Sequence, residues 1–227
     1  MQFDKKLGSL KSILLICALA TIGVSGCSEN TGDSKTYKLV TGPQGGAWYP
    51  LGGALKALIE NGQSEIKVQV LPGGGVSNVL ALHTGQAQIA LAQSVTSLDA
   101  IEGKAPFKEP LQNICNIATF YRQYFQVVTL AESGVNSPYD LKGKVLATQP
   151  RGATGEAITN HLLLAHDMDY KTLENVSFGS YTDSVTLMKD GNADVFTLTT
   201  TIPSGAVMDL ASSRTMKLMP MSIESHK

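Results

Sequence analysis

The sequence predicts an α/β fold with mostly parallel sheets flanked by helices. Three observations predict it. Short apolar strands alternate with amphipathic helical stretches between residues 37 and 219, the pattern of parallel strands joined by crossover helices. Four strand-to-helix loops are built from glycine, threonine and proline. Two distant segments also share one frame: Leu82-His83-Thr84-Gly85-Gln86-Ala87-Gln88-Ile89-Ala90 and Met188-Lys189-Asp190-Gly191-Asn192-Ala193-Asp194-Val195-Phe196. Each reads as a helix end, a glycine cap, an alanine two residues on and an apolar strand. The frame fits a common αβ connection, and equally two similar lobes that each present a binding edge.

The chain has 227 residues and a net charge of −1. Lys5, Lys6 and Lys11 precede an apolar stretch, Ile13 to Val24, which is short for a bilayer span. It ends in Val24-Ser25-Gly26-Cys27, which resembles the lipobox of bacterial lipoproteins. Residues 1–26 are therefore expected to be a signal peptide, with Cys27 the lipidated N-terminus; an ordinary signal peptide cut near Gly26 is the alternative. That reading places the protein in the periplasm or cell envelope, held to the membrane by lipid. Losing three lysines and Asp4 moves the net charge from −1 to −3. Such a balance carries no basic footprint for nucleic acid. Of the three cysteines only Cys115 then remains for the fold, and it is expected to be buried and unpaired, in a protein stabilised by its core.

After a polar tether, residues 27–35, the elements follow in order. Tyr37–Thr41 reads as a strand, and a helix runs from Pro50 to Asn61 with Leu51, Leu55, Leu58 and Ile59 on its apolar face. Ile66–Leu71 alternates with period two. Val79–Thr84 is a short helix with Ser77 or Asn78 as its cap. Ile89–Ala92 is a strand ending in the polar tip Gln93-Ser94. Ile114–Phe120 and Gln126–Leu130 read as strands, Ser137–Leu141 as a capped turn and Lys144–Thr148 as a strand. A long helix then reaches Asp167. Strand Val176–Phe178, helix Tyr181–Asp190, strand Asp194–Leu198, a helix to Ser213 and strand Met216–Met219 complete the chain.

The loops carry the chemistry. Thr41 to Gly53 brings glycines, Trp48, Tyr49 and a helix opening at Pro50. Glycines leave the main chain open to a ligand, and a helix start offers free N–H groups that suit a carboxylate. Trp48 and Tyr49 add flat walls with polar edges. The plain alternative is a strand-to-helix turn with its aromatics in the core. The same kind of loop recurs at Pro72–Asn78, at Arg151–Gly155 and, with threonines, at Thr199–Pro203. Of the three arginines, Arg122 and Arg151 follow expected strands. Either could grip a carboxylate with its guanidinium fork or stand solvated at the surface.

Catalytic and cofactor signatures are missing. The opening loop has no lysine where a phosphate-cradling P-loop needs one, and Asn78 stands where a dinucleotide fingerprint needs glycine. Ser64 and Lys67 have serine–lysine spacing without companion motifs. His161 and His166 are about 140° apart around a helix. His83, near a helix end, needs no further role. No catalytic residue, cofactor or metal is expected.

Thr41-Gly42 with Gly45-Gly46-Ala47-Trp48-Tyr49-Pro50-Leu51-Gly52 resembles the signature of TAXI-type solute receptors of TRAP transporters. Gly73-Gly74-Gly75-Val76-Ser77-Asn78, Leu91-Ala92-Gln93-Ser94, Asp140-Leu141-Lys142-Gly143-Lys144 and Pro203 after Thr199 follow in matching order. The resemblance covers Lys35 to about Ser222. It implies a type II periplasmic-binding (Venus flytrap) fold, with lobe 1 over residues 36–120 and lobe 2 over 121–219. Residues 220–227 would begin a return to lobe 1, which a chain ending at Lys227 leaves incomplete. Function follows by the same resemblance: capture of a small carboxylate or amino acid and delivery to a TRAP membrane permease, without enzymatic activity. Expected ligand contacts are Gly45, Gly46, Ala47, Trp48, Tyr49, Val76, Ser77, Asn78, Gln93 and Ser94 from lobe 1. Lobe 2 would supply Arg151, Gly152, Ala153, Thr154, Thr199, Thr200 and Pro203, with Tyr121 near the hinge. Gly152-Ala153-Thr154-Gly155 stands where the family has Gly-Ser-Gly-Thr, after Arg151 in place of an apolar residue, and Arg122 replaces a common proline. These changes bear on the solute and suggest stronger anion recognition. The rival readings are an envelope enzyme on the same fold and a sensory module for a signalling partner.

Overall fold

The computed structural model describes residues 34–221; the expected signal peptide, Cys27 and the last six residues lie outside it. Two sheets organise those residues. The first has three parallel strands in the order β2-β1-β3, with β1 at Lys35–Val40, β2 at Ile66–Leu71 and β3 at Ile89–Ala90. The second contains β4 (Tyr124–Leu130), β5 (Val145–Thr148), β6 (Asn175–Phe178), β7 (Val195–Thr200) and β8 (Met216–Leu218), in the order β6-β5-β7-β4-β8. Here β5 is parallel to β6 and β7, while β4 runs antiparallel to β7 and β8. Six α-helices connect and cover the strands: α1 (Trp48–Gly62), α2 (Gly75–His83), α3 (Ser94–Glu102), α4 (Thr154–Leu164), α5 (Tyr181–Lys189) and α6 (Gly205–Ala211). The described residues from Lys35 onward form one compact unit.

Alternation along the central strands builds two cores on the larger sheet. Val128, Phe196 and Leu198 pack with Val185, Met188 and Leu210 of α5 and α6 on one face. Val127, Leu146 and Val195 pack with Leu162 and Leu163 of α4 on the other. These strands are covered on both faces, and they also bury Thr129, Thr148 and Thr197. The smaller lobe has a lesser core of Val76, Val79, Ala100, Phe107 and Leu111.

Several expectations are corrected. Ile114–Phe120 is not a strand, because no neighbour in either sheet offers it a ladder; Ile117 is 83% exposed. Cys115 on that segment is consequently exposed rather than buried. Helix α3 replaces the simple polar tip at Gln93-Ser94. Helix α2 begins at Gly75, four residues early, so Ser77 and Asn78 lie within its first turn rather than capping it. On α1, Leu51, Leu55 and Ile59 are half-buried as expected, but Leu58 is 70% exposed.

The two segments sharing one frame do build the same connection. Gly85 and Gly191 both take a left-handed φ after a helix, Ala87 and Ala193 are both buried, and β3 and β7 follow.

Candidate functional site

Parallel strands point their carboxyl ends the same way, and ligands in such folds collect at that edge. Here the carboxyl ends of β1, β2, β3, β5 and β7 all open onto one inner cavity between the sheets. Gly42, Pro43, Gly46, Ala47 and Trp48 follow β1, Gly74 and Gly75 follow β2, and Gln93 follows β3. Gln149 and Thr154 follow β5, Thr199 and Thr200 end β7, and Tyr181 opens α5 after β6. Because β4 runs against β7, with Tyr124 opposite Thr200, Gln123 reaches the same edge.

The cavity holds only about 20 Å³, room for roughly one water. The lobes are drawn together around it by direct bonds. The Ser77 N–H donates to the Gly152 carbonyl at 2.9 Å, and the Tyr181 N–H donates to the Gln44 carbonyl at 3.0 Å. The buried Thr96 and Thr154 hydroxyls lie 2.8 Å apart. Glycine permits the approach: a Cβ on Gly74 would stand 2.7 Å from the Ala153 Cα, and one on Gly75 would stand 2.0 Å from the Thr154 Oγ1. Gly45 needs its hydrogen for another reason too, since its φ of +80° is left-handed.

The lining is uncharged: no Asp, Glu, Lys, Arg or His contributes to it among the described residues. The Tyr181 hydroxyl donates to the Thr199 carbonyl and accepts from the Gln149 Nε2, both at 2.7 Å. Burial pushes this phenol above its ordinary range, against the lowering effect of those two bonds, so it stays neutral. Gln93 donates its Nε2 to the Gln123 Oε1 at 2.9 Å. Tyr121 stands behind, its hydroxyl engaged with Gln123 and Trp48 and its pKa raised by burial. Two buried atoms have no hydrogen-bond partner here, the Gln93 Oε1 and the Thr199 Oγ1.

A second, outer cavity of about 440 Å³ lies across the Gly74–Ala153 contact, lined by Gln44, Gly73, Ser77, Arg151, Ala153, Ser180 and Asp183 among others. Arg151 belongs to this outer space. Its guanidinium sits 4.0 Å from the centre of the Phe178 ring and 3.7 Å from the Glu156 Oε1, with the side chain 66% exposed.

Of the expected contacts, Gly46, Ala47, Trp48, Gln93, Thr154, Thr199 and Thr200 meet at the inner cavity, while Ser77, Arg151 and Ala153 line the outer one. Gly45 and Gly152 form the seam between the lobes. Val76 packs in the small-lobe core. Asn78 is buried, and its side chain is committed to the main chain at Thr41, Leu91 and Gly74. Tyr49, Ser94, Tyr121 and Pro203 line neither cavity. Sequence reasoning passed over Gln123, Gln149 and Tyr181. The last two were findable, since each stands just past a predicted strand end.

Among the described residues, no cluster of three or more His, Cys, Asp or Glu could hold a metal, and no helix is long and apolar enough to cross a membrane.

Solved proteins share this fold. The alkanesulfonate-binding protein SsuA from Xanthomonas axonopodis pv. citri, bound to MOPS, aligns with a TM-score of 0.50 at 15% identity over 82% of this chain. This chain spans 60% of that protein's length. The substrate-binding protein of an amino acid ABC transporter aligns at 0.52 with 14% identity, over 84% of this chain and 80% of that one. Holo ArgBP from T. maritima aligns at 0.51 with 14% identity, over 82% and 77%. Identities this low establish fold alone: the architecture is that of the two-lobed periplasmic binding proteins. Kinship comes from the sequence itself, whose residues 39–227 match the NMT1-like family profile, and to that family the chain belongs.

Proposed function

We propose that this protein is an extracytoplasmic receptor that captures a small carboxylate or amino acid between its lobes and delivers it to a membrane permease. The observation that carries this reading is the convergence of strand ends from both sheets on one uncharged cavity sealed by bonds between lobes. Lobe closure around a solute removes water and strengthens each remaining hydrogen bond. A closed cavity of this size requires the lobes to part before a solute enters. The expected affinity is micromolar, about −8 kcal/mol. Cys27 would tether the receptor to the membrane through lipid, on the strength of the motif before it.

Motif resemblance points to a permease of the TRAP type, driven by an ion gradient. An ABC-type partner is the second reading, favoured by the structural likeness to the amino acid ABC transporter component. Thermal-shift screening against amino acids, dicarboxylates and oxo acids tests the receptor reading: a rise in melting temperature with one class supports it, and a flat response to all of them contradicts it. Uptake in cells then separates the partners. TRAP delivery stops when the ion gradient is collapsed with ATP maintained, and ABC delivery does not.

A further inference from the structure

The inner cavity carries information about its solute that the receptor reading leaves open. Among the described residues its walls hold no ionised side chain. A solute with net charge would lie there without a counter-ion, and burying an unpaired charge is costly. A net-neutral solute escapes that cost, and a zwitterion brings its own counter-charge.

The two unpartnered buried atoms narrow the class. Gln93 is fixed by its Nε2 bond to the Gln123 Oε1, so its own Oε1 is left as an acceptor with no donor. The Thr199 hydroxyl, on a residue only 7% exposed, is equally unpartnered on the other lobe. Buried polar atoms in native proteins almost always find a partner, so an orphan pair on one cavity marks what a ligand supplies. A carboxylate has no hydrogen to give Gln93; an ammonium or amide N–H has. A Cβ on Gly75 would stand 2.4 Å from the Gln93 Oε1, so this acceptor is adjacent to the first turn of α2. An acceptor beside a helix start matches an ammonium beside a carboxylate on one carbon.

Resting on the solute-receptor reading above, we propose that the cavity selects net-neutral solutes carrying an N–H donor, as neutral α-amino acids do. The Gln93 Oε1, oriented by Gln123, reads that donor. Gln93 is thereby the residue that separates amino acids from oxo acids and dicarboxylates of similar shape.

The test titrates the full chain, purified in detergent, with neutral L-amino acids, the 2-oxo acid of the same skeleton for each, L-glutamate and succinate. At least one neutral amino acid binds, at least 100-fold more tightly than its 2-oxo acid. Gln93→Met weakens that amino acid at least 10-fold and narrows the gap. If Gln93→Met does not fold, Gln123→Met, which frees the Gln93 amide to turn, gives the same narrowing. Equal or tighter binding of an oxo acid, of L-glutamate or of succinate overturns the selectivity and leaves the receptor reading standing. Unchanged affinity and selectivity in a folded Gln93→Met variant overturns the role of Gln93. Binding of none of these probes overturns both readings together.

Discussion

Asn78 holds three strand ends together through one carboxamide. Its Nδ2 donates to the Thr41 carbonyl at 2.6 Å and the Leu91 carbonyl at 2.8 Å, and its Oδ1 accepts from the Gly74 N–H at 3.1 Å. Those are the loops after β1, β3 and β2. Asn78→Ala leaves three main-chain groups short of partners in a buried place, at a cost of about 2–4 kcal/mol. Urea unfolding should show a lower midpoint with the slope retained; an unchanged midpoint would remove Asn78 from the scaffold. Tyr181 does comparable work on the other lobe, and Tyr181→Phe should weaken solute binding about 5- to 10-fold by releasing Gln149 and the Thr199 carbonyl. Because among the described residues the only titratable side chain lining the inner cavity is this phenol, raised by burial, affinity for a solute of constant charge should be flat between about pH 5 and 8. A titration calorimetry series with a step near pH 6.5 would contradict that. Sequence alone makes Asn78 a polar residue at a helix start, which suits a cap, a ligand contact or a clamp equally. Which one it becomes depends on carbonyls 13 and 37 residues away in the chain.

Helix α5 shows what local sequence does decide. Ser180 accepts from the Asp183 N–H at 3.1 Å while the Asp183 carboxylate accepts from the Ser180 N–H at 3.0 Å and its hydroxyl at 2.6 Å. This reciprocal cap and the acidic charge at a helix start are both readable three residues apart. Ser180→Ala should cost about 1 kcal/mol. The Ser180 hydroxyl, and next its N–H, hold the Asp183 carboxyl below its ordinary value. A lowered carboxylate contributes stability above its unfolded pKa, near 4, and loses it as pH falls through the folded value. Melting curves should therefore show Asp183→Asn costing stability at neutral pH and little at pH 2–3; a loss independent of pH would contradict the cap. Elements with no local partner were not legible in this way. Residues 114–120 have strand composition, yet a strand is a pair, and neither sheet has a place for them. Helix α3 carries Val95, Leu98 and Ile101 at helical spacing, and all three are exposed.

At the scale of the whole molecule, the αβ alternation was legible because each crossover forces strand direction, and direction forces the carboxyl ends to one edge. The cavity's chemistry was less so. Arg151 is a charge that sequence places at a loop beside the site, but its side chain folds back over Phe178 and lines the outer space instead. Closure is the property that emerges only here. Gly74→Ala places a methyl 2.7 Å from the Ala153 Cα and 2.9 Å from the Gly152 carbonyl oxygen, main-chain atoms that cannot turn aside. The variant should fold with wild-type stability, bind its solute at least 10-fold more weakly and keep a larger radius of gyration in solution scattering when solute is present. Wild-type affinity would mean that the lobes need not meet at Gly74. The central claim, that loops of both lobes form one solute site, is tested most directly by hydrogen exchange of the full chain with and without the solute that the thermal-shift screen identifies. The account predicts that solute slows exchange together in residues 42–48, 73–77, 149–155 and 197–201. Slowed exchange confined to one lobe, or to a face away from these four loops, would contradict it.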